Sequence, residues 1–296
     1  MLMNDVLVYF SLVLFGLVLG SYAAATVWRL RARQLQEDKT NKEPYDKKEF
    51  ARLKKLLNKK TVEDRSQCLE CGYKLRWYDL IPLVSWISLK GKCRNCHKKI
   101  GWFEPVMEIG VAVFFVVSYI FWPIEFTSWL TVIHFALWLA AGVVMAVLFA
   151  YDMRWFLLPN KYTLLLAIIG AAITAVVVIG SENPLQALIA AGWSVMAIGG
   201  LYGLLYKVSN GRWVGFGDVK LGVGLGLLLA DWQLALVAVF LANLIGCFIA
   251  IPLLATKRIQ RNAHIPFGPM LIAGAILAWL FGHFIIDWYL GGLGLY

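Results

Sequence analysis

Long apolar runs alternate with short polar segments along most of this 296-residue chain. A helix rises about 1.5 Å per residue, so a run of about 17–25 apolar residues can cross a bilayer. The first run, residues 6–28, is too long for the core of a signal peptide, and we expect a retained helix. Seven further spans are predicted at residues 103–122, 127–150, 162–180, 185–206, 217–230, 233–255 and 267–289. The pattern predicts an all-α polytopic membrane protein with about eight transmembrane helices.

Charge is concentrated between the first two predicted spans. The chain is 60% hydrophobic and 16% charged, with a formal net charge of +10, which is typical of neither soluble domains nor disordered chains. Residues 29–99 hold 20 Lys and Arg against 9 Asp and Glu, so this segment carries the whole excess. We therefore predict a first transmembrane helix at 1–28, a basic cytoplasmic insert at 29–101 and a seven-helix membrane domain at 102–296.

The basic residues outside the insert indicate the orientation. Cytoplasmic loops of membrane proteins carry an excess of Lys and Arg. With the insert in the cytoplasm, alternate loops bring all eight remaining basic residues to the same side and both termini to the opposite side. These residues are Arg154, Lys161, Lys207, Arg212, Lys220, Lys257, Arg258 and Arg261.

Four of the five cysteines form two Cys-x-x-Cys pairs in the insert. Cys68 and Cys71 are separated by 21 residues from Cys93 and Cys96. Each pair can present two thiolates to one ion, and four thiolates around one ion form a common structural zinc site. A redox dithiol pair or disulfides are the alternatives, which a reducing cytoplasmic location disfavours. We predict a zinc-ribbon-like module with structural zinc.

Residues 46–60 predict a basic amphipathic helix upstream of the cysteines. Phe50, Leu53, Leu56 and Leu57 fall on one stripe. Such a helix could lie on anionic lipid headgroups or pack on the zinc module, and the sequence leaves both interpretations open. A basic zinc ribbon can also bind nucleic acid, but the insert offers no recognition helix or stacking motif. We expect the lipid bilayer, and no nucleic acid, as a partner.

Two aspartates stand at the predicted cytoplasmic edge of the membrane. Asp152 ends the third span, and Asp218 follows Gly215-Phe-Gly where the sixth begins. Ionisable groups at such positions are costly and usually functional, although a lone aspartate at a helix end is more often a cap. Two adjacent carboxylates cannot both ionise easily, so one can take a proton from water while the other polarises a peptide carbonyl. Glycines beside Asp218 leave room for an extended substrate.

Taken in order, these motifs resemble the type IV prepilin leader peptidase family, bacterial membrane aspartyl proteases of the Gly-x-Gly-Asp class. The likeness covers nearly the whole chain outside about 30–64. It implies cleavage of leader peptides from type IV prepilins or pseudopilins after a glycine, at the cytoplasmic face of the bacterial inner membrane, with Asp152 and Asp218 as the catalytic dyad. The matching segments are 16–21 with 29–30, 65–71, 77–82, 85–86, 91–96, 105–108, Asp152 with 158–159, 215–220 and 265–269.

The resemblance also implies a second activity. Many members methylate the new N-terminus with S-adenosylmethionine, a function linked to the module that contains the cysteines. This chain departs from the family there, with Leu69-Glu70 in place of Pro-x, Leu80 in place of Asn, and Phe103-Glu104-Pro105 in place of Arg-Tyr-Pro. These departures bear on methylation more than on proteolysis.

Other ionisable residues have simpler interpretations. Glu108, one turn inside the second span, is expected to form a structural ion pair, for example with Lys220, in preference to a role in methylation. Cys247, His134 and His283 lie in apolar spans and are interpreted as packing residues.

Two other functions fit parts of the pattern. A presenilin-like intramembrane aspartyl protease would share Tyr151-Asp152 and Gly-x-Gly-Asp218, but the cysteine pairs and Pro266-Phe-Gly-Pro269 argue against it. A non-enzymatic transporter or assembly scaffold would use the aspartates to carry protons or ions. Transporters of this size often show paired half-repeats, and the sequence has none that we can detect.

Overall fold

The structure is a computed structural model that describes residues 2–57, 66–256 and 266–292, with side chains from Val6 onward. The regular secondary structure of these residues is helical, apart from two isolated antiparallel β-bridges. The chain divides into two compact units, residues 1–117 and residues 118–296. The helices are α1 Leu2–Thr40, α2 Lys47–Leu53, α3 Val84–Ser88, α4 Phe103–Ile120, α5 Trp129–Trp155, α6 Asn160–Gly180, α7 Pro184–Val195, α8 Leu201–Ser209, α9 Phe216–Leu229, α10 Trp232–Ala255 and α11 Gly268–Gly292.

Seven helical segments of the described chain are long and apolar enough to cross a membrane, one of them formed by α7 and α8 together. The all-α polytopic prediction is therefore confirmed. The remaining predicted span, residues 217–230, corresponds to α9, which has only 14 residues. Helix α9 is enclosed by its neighbours. A Cβ at Gly226 would lie 2.6 Å from Val195 Cα, and one at Gly170 would lie 2.8 Å from the Gly224 carbonyl oxygen.

Close backbone contact joins α1 to α4 in the first unit. A Cβ at Gly16 would lie 2.5 Å from Ala112 Cα, and one at Gly20 would lie 2.6 Å from Glu108 Cα. Small residues four apart allow membrane helices to approach in this way. Helix α1 also continues well beyond the predicted end of its span at residue 28.

The extension of α1 provides the surface on which α2 packs. Leu53 of α2 is fully buried against Ala32 and Leu35 of α1, and Leu69 of the cysteine module joins the same cluster. Phe50, Leu56 and Leu57 pack around it. The amphipathic stripe therefore covers protein, which supports packing over lipid contact, and the main surface that it covers is α1. Residues 58–60 of the predicted helix lie outside the described part of the chain.

A single turn of π-helix, Met196–Gly200, connects α7 to α8 without a break. It brings the backbone close to α9, since a Cβ at Gly222 would lie 3.2 Å from Gly199 Cα. π turns insert one extra residue and often occur at functional sites. The turn therefore determines which α8 side chains face α9.

Three lone ionisable residues of the membrane helices, His134, Cys247 and His283, differ in their burial. His134 is buried, with its ring centroid 5.4 Å from that of Trp122 and 5.0 Å from that of Trp279, which agrees with a packing role. Cys247 and His283, in contrast, are exposed on α10 and α11. Their interpretation as packing residues was wrong, because apolar composition alone does not distinguish an inward face of a membrane helix from an outward face.

Candidate active site and cysteine cluster

Asp152 occupies the last turn of α5. The helix ends at Phe156, which has a left-handed backbone (φ +55°) and donates its N–H to the Asp152 carbonyl at 2.9 Å. The Asp152 side chain is buried, and its Oδ2 has no hydrogen-bond partner among the described residues. The first residue of α11, Gly268, lies directly against it, because a Cβ there would be 2.7 Å from Oδ2. This carboxylate oxygen is thus buried against the backbone at the start of α11.

Asp218 lies in the first turn of α9. Its Oδ2 accepts the Gly215 N–H at 3.2 Å, while its own N–H donates to the Gly215 carbonyl at 3.1 Å. This reciprocal pair closes the turn and fixes the direction of the side chain. Gly215 itself is exposed, so the backbone beside Asp218 is open to a partner.

Leu158 lies between the two aspartate segments. A Cβ at Gly217, next to Asp218, would be 3.2 Å from Leu158 Cβ, and one at Gly268 would be 3.5 Å from Leu158 Cδ2. The end of α5 and the starts of α9 and α11 therefore meet around one side chain. The carboxylates of Asp152 and Asp218 are close enough for their charges to repel.

Other polar contacts at this edge were not predicted. Lys220 donates to Asn160 Oδ1 at 2.7 Å and lies 4.8 Å above the Phe216 ring. Tyr202 of α8 is buried against Phe267, with ring centroids 5.1 Å apart. Nothing in the sequence singled out Tyr202, because its position depends on the π turn that precedes α8.

Glu108 does not form the predicted ion pair among the described residues. Its Oε2 accepts the backbone N–H of Leu83 at 2.8 Å instead. Leu83 has a positive φ of +58° just before α3, a conformation that is unfavourable for a residue with a branched side chain. The buried carboxylate therefore holds a strained loop, a role that no charge pattern in the sequence indicates.

The four predicted cysteines converge in the first unit. Their Sγ atoms all lie within 4.8 Å of one another, with Cys68 to Cys96 and Cys71 to Cys93 both at 3.9 Å. Sulfur–zinc bonds of about 2.3 Å in a tetrahedron separate sulfurs by about 3.8 Å. Antiparallel bridges close the two hairpins, pairing residues 67 with 74 and 92 with 99. The cluster can therefore hold one metal ion.

Electrostatics around the cluster differ from one cysteine to another. The backbone N–H of Tyr73 lowers the pKa of Cys71 to about 6, whereas burial raises the pKa of Cys68 to about 12. The Asn95 amide donates to Cys71 Sγ at 3.7 Å, as outer partners of metal ligands do. A hydrogen bond from Lys98 lowers the pKa of Glu70, which lies between the first two cysteines.

Glu70 also joins α2 to this module. It pairs with Arg52 of α2 at 2.6 Å and with Lys98 at 3.1 Å. Lys55 donates to the Glu70 carbonyl at 2.8 Å, so the contact involves both the side chain and the backbone. The basic segment before the cysteines is therefore integrated with them.

These features define an all-helical integral membrane protein with two acidic side chains meeting at helix ends and a four-cysteine cluster. Comparison with known proteins identifies the family. Residues 14–122 match the Bacterial Peptidase A24 N-terminal domain, and residues 138–251 match the Type IV leader peptidase family.

Curated relatives extend the match along almost the whole chain. The prepilin leader peptidase/N-methyltransferase of Aeromonas salmonicida is 30% identical over 95% of this chain and 94% of its own. The protein of the same name from Pseudomonas aeruginosa is 28% identical over 94% and 92%, and that from Bacillus subtilis is 28% identical over 79% and 88%. No solved structure matches. The chain belongs to the type IV leader peptidase family.

Proposed function

We propose that this protein cleaves the leader peptide from type IV prepilins or pseudopilins at the cytoplasmic face of the bacterial inner membrane, with Asp152 and Asp218 as its catalytic dyad. The observation that carries the proposal is the meeting of the two aspartate segments around Leu158. The printed names of the relatives support the substrate class. The family match does not favour a presenilin-like protease or a non-enzymatic scaffold.

The chemistry follows from two carboxylates that share one proton. The ionised carboxylate takes a proton from a water molecule, and the oxygen of that water attacks the peptide carbonyl. The protonated carboxyl donates to the carbonyl oxygen as negative charge develops there. The tetrahedral intermediate then breaks its C–N bond, and the departing amine takes the proton that water gave up. Asp152 Oδ2 is buried and has no hydrogen-bond partner among the described residues, which suits the carboxylate that holds the shared proton.

An extended substrate fits the surface beside Asp218. Gly215 is exposed and Gly217 packs on Leu158, so no side chain of either residue stands in the way. A substrate strand that enters here brings its backbone amides and carbonyls close to the dyad. Peptide bonds buried inside helices would be inaccessible, so the leader junction must be extended when it is cut.

We further propose that the cysteine cluster holds structural zinc. The sulfur spacing supports four thiolate ligands from Cys68, Cys71, Cys93 and Cys96, with no open position for catalysis. Zinc would lock the two hairpins together and keep the thiols from oxidising. This module and the dyad are proposed to face the cytoplasm, with both termini outside, because the basic residues are distributed in that way.

N-methylation of the new N-terminus is proposed as a second activity. The names of the relatives include N-methyltransferase, which supports it. S-adenosylmethionine would supply the methyl group. The departures at Leu69-Glu70 and Leu80 lie in the cysteine module, so the second activity is best measured separately from cleavage.

Cleavage by purified protein in proteoliposomes tests the primary function. Wild type is expected to convert a prepilin to a product that begins immediately after the leader, as measured by mass spectrometry. Asp152→Asn and Asp218→Asn should each lower kcat by at least about 10³-fold. Asp231→Asn is the matched control, because Asp231 only caps α10 and asparagine caps equally well.

Failure of wild type to cut the prepilin would overturn the proposed function. Full cleavage by either dyad variant would overturn the assignment of the dyad while leaving the function in place. Loss of activity in Asp231→Asn would show that removal of any helix-end carboxylate is damaging, and would also contradict the assignment.

A further inference from the structure

Tyr202 is a buried tyrosine whose hydroxyl has no hydrogen-bond partner among the described residues. Only 3% of the residue is exposed. Asn243 is near enough to interact with the hydroxyl, but no hydrogen bond of acceptable geometry joins the two groups, and the Asn243 amide donates to the Val239 carbonyl at 2.8 Å. Buried hydroxyls are normally paired, because an unpaired one loses its hydrogen bonds to water and gains none in return. An unpaired hydroxyl at this position needs an explanation.

Helix packing brings Tyr202 to the level of Asp218. Gly199 lies against Val223, and Gly203 lies against Val219. The contact therefore moves forward along α7 and α8 as it moves backward along α9, so the two helices run antiparallel. Tyr202 is next to Gly203 in the chain, and Asp218 is next to Val219. Tyr202 and Asp218 therefore lie at the level of the contact between Gly203 and Val219. The charge of Asp218 is close enough to act on the Tyr202 hydroxyl.

The π turn accounts for the direction of Tyr202. The extra residue in Met196–Gly200 rotates every later side chain around the helix axis by one position. Tyr202 comes two residues after this turn. Without the insertion, a different side chain of α8 would face the interior at the level of Asp218.

A second contact links Tyr202 to the other aspartate. Its ring packs on Phe267, and the next residue, Gly268, lies against Asp152 Oδ2. Tyr202 therefore borders the segments that carry both carboxylates, although it belongs to neither.

We propose that the Tyr202 hydroxyl donates a hydrogen bond to a backbone carbonyl of the prepilin segment that lies across the dyad. This inference rests on the proposed function. The carboxylate of Asp218 does not fill this role in the structure, because no hydrogen bond joins it to the Tyr202 hydroxyl. An extended peptide, in contrast, arrives with carbonyls that have lost water and have no partner of their own. Substrate binding thus supplies the partner that the hydroxyl lacks.

Tyr202→Phe tests this role because it removes only the oxygen. We expect kcat/KM for prepilin cleavage to fall by about 10- to 100-fold. The midpoint of thermal unfolding should stay the same or rise, because a buried hydroxyl without a partner contributes nothing to the resting fold. Tyr206→Phe is the matched control, since Tyr206 lies one turn away, is partly exposed and packs on Phe216. This control should cleave like wild type.

Substrate affinity provides a second measurement that does not depend on turnover. In an Asp218→Asn background, which binds without cutting, addition of Tyr202→Phe should weaken binding of the prepilin by about tenfold. A purely structural tyrosine would lower the unfolding midpoint and leave this affinity unchanged, which would overturn the inference. Wild-type kcat/KM in Tyr202→Phe would also overturn it while leaving the proposed function intact. Wild-type protein that cuts no prepilin would overturn the proposed function, and this inference with it.

Discussion

The backbone of Gly268 lies directly against the carboxylate of Asp152. A Cβ at Gly268 would be 2.7 Å from Asp152 Oδ2, closer than real Cβ atoms approach other heavy atoms. The start of α11 thus packs directly on this carboxylate. Any side chain at this position must displace the carboxylate or the helix.

Gly268→Ala is therefore expected to impair cleavage. The added methyl group should move Asp152 out of alignment with Asp218, and a displacement of about 1 Å in a catalytic group costs up to about 100-fold in rate. Prepilin cleavage under single-turnover conditions measures the effect.

Gly192→Ala provides the control for that substitution. A Cβ at Gly192 meets nothing within 4 Å, and alanine favours the helical conformation of α7. This variant should cleave at the wild-type rate. Equal rates for both glycine variants would show that the tight contact at Asp152 has no influence on catalysis.

The contact between α1 and α4 predicts a stability effect in the first unit. Gly20→Ala would bring a methyl group 2.6 Å from Glu108 Cα and force the two helices apart, so we expect a loss of about 1–3 kcal/mol. Gly110→Ala on α4 meets nothing within 4 Å and should be neutral or stabilising by up to about 1 kcal/mol. Thermal unfolding in detergent compares the two variants, and a larger loss in Gly110→Ala would contradict the packing described for α1.

The affinity of the cysteine cluster for metal should decrease as the pH is lowered, with a slope that changes near pH 6. Thiols must lose their protons to bind metal, so each proton released lowers the affinity tenfold for every unit of decrease in pH. The Cys71 pKa of about 6 means that this thiol is already ionised at pH 7–8 and releases no proton there. Below about pH 6 the Cys71 thiol is protonated and must release its proton when metal binds. The slope of log affinity against pH should therefore steepen by one there. Cys68, with a pKa of about 12, releases a proton throughout this range.

Competition between the purified protein and a chromophoric chelator measures that slope between pH 5 and 8. The expected stoichiometry is one zinc per chain, lost in Cys68→Ser and kept in Cys247→Ser, because Cys247 lies outside the cluster. A slope that stays constant across pH 6 would contradict the role given to Cys71. Retention of zinc by Cys68→Ser would contradict the four-thiolate site.

Much of this architecture follows from patterns that are local in sequence. Apolar runs predict the membrane helices because the bilayer imposes a minimum length, and the Cys-x-x-Cys spacing predicts the cluster because each hairpin brings two thiols together. The continuation of α1 beyond residue 31 was not predicted because that segment is charged, and hydropathy identifies only helices that contact lipid. This part of α1 contacts α2 instead.

Other features depend on contacts between distant parts of the chain. Glu108 was predicted to pair with a cation, but its partner is a backbone amide, a group that every residue possesses and that no sequence pattern marks. Tyr202 was not predicted because one extra residue in a π turn decides which way it faces. Such an insertion changes by one position which side chains face inward, and no residue pattern within the helix marks where it occurs.

The most direct test of the central claim compares kcat for Asp152→Asn, Asp218→Asn and the double variant. Residues that act as one unit are strongly non-additive, so removal of the second should cost little once the first is gone. We predict that all three variants share the same residual rate, at least about 10³-fold below wild type. Multiplicative losses in the double variant, or a single variant that still cleaves the prepilin at the wild-type rate, would contradict a shared dyad.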